Sequence, residues 1–245
     1  AISAANRGAA GLILSSRNES ELKKVAQLCS PIKCLVVPLD MNQHQLFDDC
    51  VNQAINEFGR IDILVNNAGI SQRSYVLETP EKVDRALMEL DYFSQIFLSK
   101  KVLRYMLEKK SGHFVIMSSL SGLFGFYERS AYCAAKHALH GFFEALRLEY
   151  HDQGIGVTIA CPGFVKTQIS LNALNKNSEK HGVMDENQEK GVSPEYCSNK
   201  IWNATEFNKK LVLIGKKEIL MAYFKRYLPG LFYKLAFNLK RKSNS

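Results

Sequence analysis

A tyrosine and a lysine four residues apart, in Tyr132-Cys133-Ala134-Ala135-Lys136, follow Ser119 by thirteen residues. On a helix, positions i and i+4 share one face, so the phenol and the ammonium would sit one turn apart. A free phenol, with a pKa of about 10, is a poor proton donor or acceptor at neutral pH. A nearby ammonium favours the phenolate and lowers that value. Ser119 can donate a hydrogen bond to a carbonyl oxygen and orient it. Together the three suit proton transfer to a carbonyl oxygen while a hydride reaches its carbon. Tyr-x-x-x-Lys alone arises by chance on many helices, so the pattern needs a fold that brings Ser119 to it.

The surrounding sequence predicts such a fold. Short runs at 12–14, 34–39, 61–65, 114–117, 157–161 and 211–214 are almost continuously apolar, as strands buried on both faces are. Helix-length stretches lie near 19–29, 43–58, 80–110 and 131–152, and the last carries Ala131, Ala135, Leu139, Phe142, Phe143 and Leu146 at helical spacing. This alternation predicts an α/β domain with a doubly wound parallel sheet. Ligands of such sheets bind beyond the carboxyl ends of the strands. Polar residues cluster there: Ser15-Ser16-Arg17, Asp40, Asn66-Asn67-Ala68-Gly69, Ser118-Ser119 and Pro162-Gly163.

Composition excludes several alternatives. With 245 residues, 46% apolar and 23% charged, the chain suits one large globular domain and is unlike a disordered or fibrous protein. The net charge of +8 is uneven. Residues 209–245 hold ten Lys/Arg and one acid, whereas residues 1–208 hold 22 against 23. A neutral body argues against nucleic acid as a partner. The six scattered cysteines form no Cys-x-x-Cys and read as buried free thiols. His137 and His140 lack a third ligand and read as helix-surface residues, so no metal is expected. No uncharged apolar run of about 18 residues is present, and no signal peptide is visible.

Asn66-Asn67-Ala68-Gly69, Ser119, Tyr132-x-x-x-Lys136 and Pro162-Gly163-x-Val165-x-Thr167 occur in the order and spacing of the short-chain dehydrogenase/reductase family. The chain resembles that family from about Gly11 to Gly215. Leu171-Asn172-Ala173-Leu174-Asn175, Gly182-Val183-Met184-Asp185 and the ending 228–233 resemble one branch of it. The resemblance implies a Rossmann-like fold and an NADP(H)-dependent oxidoreductase that reduces a carbonyl or oxidises an alcohol. Tyr132 would be general acid in reduction and base in oxidation. Lys136 would hold the nicotinamide ribose and lower the Tyr132 pKa, and Ser119 would position the substrate carbonyl. Asn67, Ala68 and Gly69 would pass beneath the cofactor ribose. Pro162, Val165 and Thr167 would hold the nicotinamide carboxamide, and Asp40 would meet the adenine edge. Arg17 stands where an acid would bond the ribose hydroxyls of NAD, and its guanidinium suits the extra phosphate of NADP instead. A lipid-like, retinoid or steroid substrate is also implied, with membrane association at the endoplasmic reticulum; a cytoplasmic location is the alternative.

Two departures from the family stand out. Its fourth catalytic residue, an asparagine, aligns with Asp91, so a carboxylate would face Lys136. The family also opens with a strand and a loop, Thr-Gly-x-x-x-Gly-x-Gly, that cradles the cofactor pyrophosphate. Nothing before Leu12 resembles either. Ala1 to Arg7 resembles the end of the following helix. The expected domain at 1–215 is thus N-terminally truncated. Absence of the central strand would leave two inner sheet edges unpaired.

The remainder, 216–245, is a basic, aromatic tail. Lys225, Arg226, Lys234 and the Pro229-Gly230 break argue against a spanning helix. Aromatic and basic residues together suit a segment at a bilayer surface, with Lys240-Arg241-Lys242 adding attraction to anionic lipid. The alternative is packing on its own domain or on a second copy in a homodimer. The interval 168–192 would cover the substrate. Phe124, Phe126 and Tyr127 would either line an apolar pocket or pack in the core. The rival to an enzyme is a non-catalytic, membrane-associated binding protein, or an inactive truncated isoform.

Overall fold

A computed structural model describes residues 1–243; the side chains from 239 onward, including Lys240-Arg241-Lys242, and residues 244–245 lie outside the described residues. In chain order the elements are α1 (Ile2–Ala5), β1 (Leu12–Ser16), α2 (Glu19–Leu28), β2 (Cys34–Pro38), α3 (Phe47–Phe58), β3 (Ile63–Asn66), β4 (Gln72–Arg73), α4 (Glu81–Met88), α5 (Ser94–Glu108), β5 (Gly112–Met117), α6 (Ser130–Tyr150), β6 (Ile155–Pro162), β7 (Leu174–Asn175), α7 (Glu186–Glu189), α8 (Pro194–Glu206), β8 (Leu211–Ile214), α9 (Leu220–Tyr227) and α10 (Pro229–Ser243).

Local chemistry sets the element ends. The Asn18 side chain accepts from the backbone N–H of Glu21 and caps α2, with Glu19 and Glu21 in its first turn. Ser193 caps α8, with Pro194 at its first position. α3 stops at Gly59, whose φ of +73° is left-handed backbone that glycine adopts without strain.

All named strand pairs are parallel. Four strands run in the order β3-β5-β6-β8, and their side chains alternate strictly between two cores. Phe114, Ile116, Val157, Ile159 and Cys161 enter the larger core with Leu139, Phe143 and Leu146 of α6. Val115, Ala160 and Ile214 enter the other with Cys197 and Ile201 of α8. Burial on both faces is why these runs read as unbroken apolar stretches. The architecture is therefore the expected helix-covered parallel α/β sheet.

β1 and β2 form a separate two-stranded sheet, with no hydrogen bond to β3. One edge of β1 and one of β3 have no partner strand among the described residues. On β3, Ile63 and Val65 are each 39% exposed, although apolar strand residues of this sheet are otherwise mostly covered. The pair is held by packing: Val37, Leu39, Phe47 and Cys50 form a third cluster with Phe97 and Leu98 of α5.

Three elements differ from the sequence expectation. The stretch 80–110 is two helices joined by a π-helical turn, Glu89–Phe93, where Ser94 Oγ donates to Glu89 O at 2.8 Å. α8 replaces a segment given no helix, and the short β4–β7 ladder pins the polar 168–192 interval to the body.

The tail docks through one face. Phe232 is buried against Phe124, and Tyr127 donates its hydroxyl to Ala236 O at 2.6 Å. Phe126 packs beside the same core. These three aromatics thus pack as core and tail contacts. Among the described residues no helix is long and apolar enough to cross a membrane.

Candidate active site

The ends of β5 and β6 and the first turns of α6 converge on one point. Ser119 follows β5 and caps the turn Leu120–Gly122, its Oγ accepting from Ser121 N at 3.1 Å. That Oγ also lies 3.4 Å from Pro162 O, at the end of β6. Tyr132 and Lys136 lie on the buried face of α6, with the Lys136 Nζ 5.6 Å from the centre of the Tyr132 ring. Lys136 donates to Met117 O at 3.0 Å, which aims it beneath Ser119. α4 covers the tyrosine ring with Val83 and Leu87.

The π-helical turn delivers Asp91 to the same place. Its Oδ2 lies 3.3 Å from Lys136 Nζ, and both side chains are buried, at 0% and 4% exposure. Its Oδ1 accepts from Ile70 N at 2.8 Å, tying the turn to the loop after β3. Gly69 lies so close that a Cβ there would stand 3.1 Å from Asp91 Oδ2, which explains the glycine. Gln95 holds the same loop by donating to Ala68 O at 2.8 Å, and Asn66 donates to Ser99 Oγ. The loop is thereby fixed from below, while Asn67 and Gly69 stay exposed above.

The charges act against one another. Burial alone would push Lys136 down, but Asp91 and Tyr132 outweigh it and hold the ammonium above the ordinary lysine range. Burial lifts Tyr132 above the usual phenol value; Lys136 pulls it back, and Asp91 adds to the rise. Lys136 therefore lowers the phenol, as its charge requires, without bringing it below the usual value. Its pull is present, but desolvation exceeds it.

The expected cofactor residues fall into two groups. Pro162 is buried beside Ser119, Val165 is half-buried and Thr167 is exposed just beyond. Gln188, which the sequence did not single out, donates to Val165 O and lies 3.4 Å from Thr167 Oγ1. Arg17 and Asp40 lie instead at the ends of β1 and β2, in the separate strand pair. Arg17 is exposed with no ion-pair partner among the described residues, and Asp40 Oδ1 accepts from Asn42 N at 3.0 Å.

Several contacts were not expected. Arg73 and Arg129 share Asp185, at 2.5 and 2.9 Å, and so fasten 168–192 to β4 and to the start of α6. Buried Gln72 accepts from Ala131 N at 2.9 Å. His140 is not a surface residue: its Nε2 lies 2.9 Å from Ser118 Oγ, and burial lowers its pKa to about 4. His137 is exposed, and no group of three metal-ligating side chains exists among the described residues. All six cysteines are free, with Cys34 half-buried and the rest buried.

The description "short chain dehydrogenase" matches residues 1–178, and the chain belongs to that family of oxidoreductases. It is 38% identical to dehydrogenase/reductase SDR family member 7B of Xenopus tropicalis, over 91% of this chain and 75% of that one. It is 32% identical to dehydrogenase/reductase SDR family protein 7-like of Drosophila melanogaster, over 93% and 72%. A short-chain dehydrogenase from Streptomyces avermitilis superposes with a TM-score of 0.78 at 25% identity, covering 100% of this chain and 92% of that one. A variant of ElxO with NADPH bound matches with a TM-score of 0.60 at 29% identity, over 64% of each chain. An enzyme from Burkholderia phymatum in complex with NAD shares the fold, with a TM-score of 0.74 at 19% identity over 83% and 79%.

Proposed function

We propose that the protein is an NADP(H)-dependent reductase of carbonyl groups on apolar, lipid-like substrates such as retinoids or steroids. The observation that carries this reading is the convergence of Ser119, Tyr132 and Lys136 at the ends of β5 and β6. The residues present suit the nicotinamide end of a dinucleotide: the exposed loop Asn67-Ala68-Gly69, the Thr167 hydroxyl, and the Pro162 to Val165 segment held beside Ser119. The unpaired Arg17 guanidinium suits a ribose phosphate, and the NADPH-bound ElxO variant supports the same choice. Asp40 would meet the adenine edge. When bound, the cofactor supplies the hydride for the carbonyl carbon.

The chain's own residues do the rest. Ser119 Oγ–H orients the carbonyl oxygen. The Tyr132 hydroxyl gives its proton to that oxygen, leaving an alcohol and a phenolate, and water restores the proton. Lys136 stabilises the phenolate. The turn Val76–Glu78, with Leu77 100% exposed beside half-exposed Tyr75, offers an apolar rim near the α6 start, where Ser74 N donates to Glu128 O. That rim favours an apolar substrate.

The test is reduction of a panel of retinoid, steroid and fatty aldehyde carbonyls with NADPH. Tyr132→Phe keeps the ring and removes the donor, and should lower turnover by about 10²-fold or more. Undiminished turnover would remove Tyr132 from the mechanism. No turnover by the unmodified chain, with dinucleotide still bound, would favour the binding-protein reading.

A membrane surface as a second partner is favoured by the tail's outer face. Tyr223, Tyr227, Leu228, Leu231, Tyr233 and Phe237 are exposed there, among Lys225, Arg226 and Lys234 and no acid after Glu218. The protein should sediment with anionic vesicles, less so in high salt, and lose this on removal of 219–245. Undiminished sedimentation after the deletion would move the contact elsewhere.

A further inference from the structure

The site contains one group that the proposed proton transfer does not consume: the carboxylate beneath Lys136. Asp91 is wholly buried, its Oδ1 accepts from Ile70 N–H, and among the described residues its Oδ2 has no partner but the ammonium. The π-helical turn carries it into the site, and Gly69 approaches closely on one side, where a Cβ would stand 3.1 Å from Oδ2.

A lone ammonium in dry surroundings tends to give up its proton, because burial penalises the charged form. A carboxylate at 3.3 Å reverses that. It also makes the trio Asp91, Lys136 and Tyr132 neutral before the phenol ionises. The next proton to leave then creates net negative charge in a buried place. Without the carboxylate, the first proton to leave would take the site from positive to neutral, which burial favours. The sign is the same whether that proton departs from the phenol or from the ammonium.

We propose that Asp91 is the built-in counter-ion of Lys136 and a positioning residue for the Tyr132 proton, keeping the site protonated to higher pH than an uncharged residue at 91 would. The inference rests on the reading of Tyr132 as proton donor and deepens it. Reduction needs the phenol and oxidation the phenolate, so Asp91 biases the site towards carbonyl reduction at neutral pH.

Other groups facing the trio do not supply this charge. α4 presents Val83 and Leu87, and the loop after β3 presents Ile70. Ser119 is a neutral donor. Cys133, next along α6, is pushed up by burial and stays a thiol. His140, one turn beyond Lys136, is held neutral with its pKa lowered to about 4.

The experiment titrates the folded protein without cofactor or substrate. Carbon-13 labels on tyrosine Cζ and lysine Cε, assigned by comparison with Tyr132→Phe and Lys136→Gln, report both protons together. In Asp91→Asn the first proton should leave the pair about 1–3 pH units lower than in the unmodified chain. The alkaline limb of carbonyl reduction should move down with it. An unchanged or raised titration overturns the proposal while leaving Tyr132 as donor. Turnover retained in Tyr132→Phe does the converse. If Asp91→Asn leaves Lys136 uncompensated and unfolds the protein, Asp91→Asn with Lys136→Gln removes both charges and should restore the fold. A double variant as unstable as the single one also overturns the proposal.

Discussion

On one side of the gap between β1 and β3, the sheet is paired, covered on both faces and closed over a buried charge group. On the other, two strands hold the residues expected for the adenosine end and lean on α3 and α5 through side-chain packing. The residues proposed for proton chemistry and those proposed for cofactor reading thus stand on parts of the sheet that are held differently, one by strand pairing on both sides and one by packing. A buried ion pair holds its geometry only where its surroundings are fixed on all sides, whereas an exposed guanidinium can tolerate motion. Under the proposed function, the fully paired side is the one where an ångström would matter.

Removing packing separates the two sides most sharply. Phe143→Ala empties the core under β5 and should cost about 3–5 kcal/mol in chemical denaturation. Phe47→Ala, equally buried but under β2, should cost less globally and chiefly speed amide exchange in β1 and β2. Equal losses would mean that both sheets unfold as one unit. The next largest effect concerns the fastening of 168–192. Burial pushes Asp185 up, but Arg73, Arg129 and His181 outweigh it and hold the carboxyl below the usual range. Its stabilisation is complete above the unfolded carboxylate pKa of about 3.9 and fades as pH falls through the lower folded value. Asp185→Asn should cost about 1.5–3 kcal/mol at pH 7. The gap from the unmodified protein should narrow in acid; a gap independent of pH would remove the charge from the explanation. The smallest effect is expected on the open side. Arg17→Ala should weaken NADPH binding about tenfold, or 1.4 kcal/mol, and spare NADH. Equal weakening of both would show that Arg17 does not read the phosphate.

Much of this was legible in sequence because it was local or periodic. The six main strands lie within a few residues of their apolar runs, and the Tyr132–Lys136 spacing is a property of one helix. The motif order sufficed to place Ser119 against it. What stayed hidden depends on contacts between distant segments. Arg73 and Asp185 are 112 residues apart, and although Asp185 lies in a recognisable stretch, nothing in the sequence pairs it with Arg73. His140 follows helical spacing like a surface residue, and its contacts with Ser118 just beyond β5 and with Cys161 of β6 are what turn it inward. Asp91 was expected to face Lys136, but the turn that delivers it there interrupts an otherwise uniform helical pattern and was not. Gln188 lies in a polar interval with almost no periodic signal.

That widened turn also sets the phase between two helices. Successive α-helical residues advance by about 100° around the axis. The residues before the turn face Tyr132 through Val83 and Leu87, and those after it face the sheet through Ile96, Val102, Leu103 and Met106. Both faces can be satisfied only because Glu89–Phe93 accommodates one residue beyond an ordinary turn. Winding the same residues as an unbroken α-helix would instead rotate one face away from its core by about 100°, a little over a quarter of a revolution. It would also carry Asp91 off the lysine. The interruption is the gear that lets a single long segment serve both the fold and the proposed proton site.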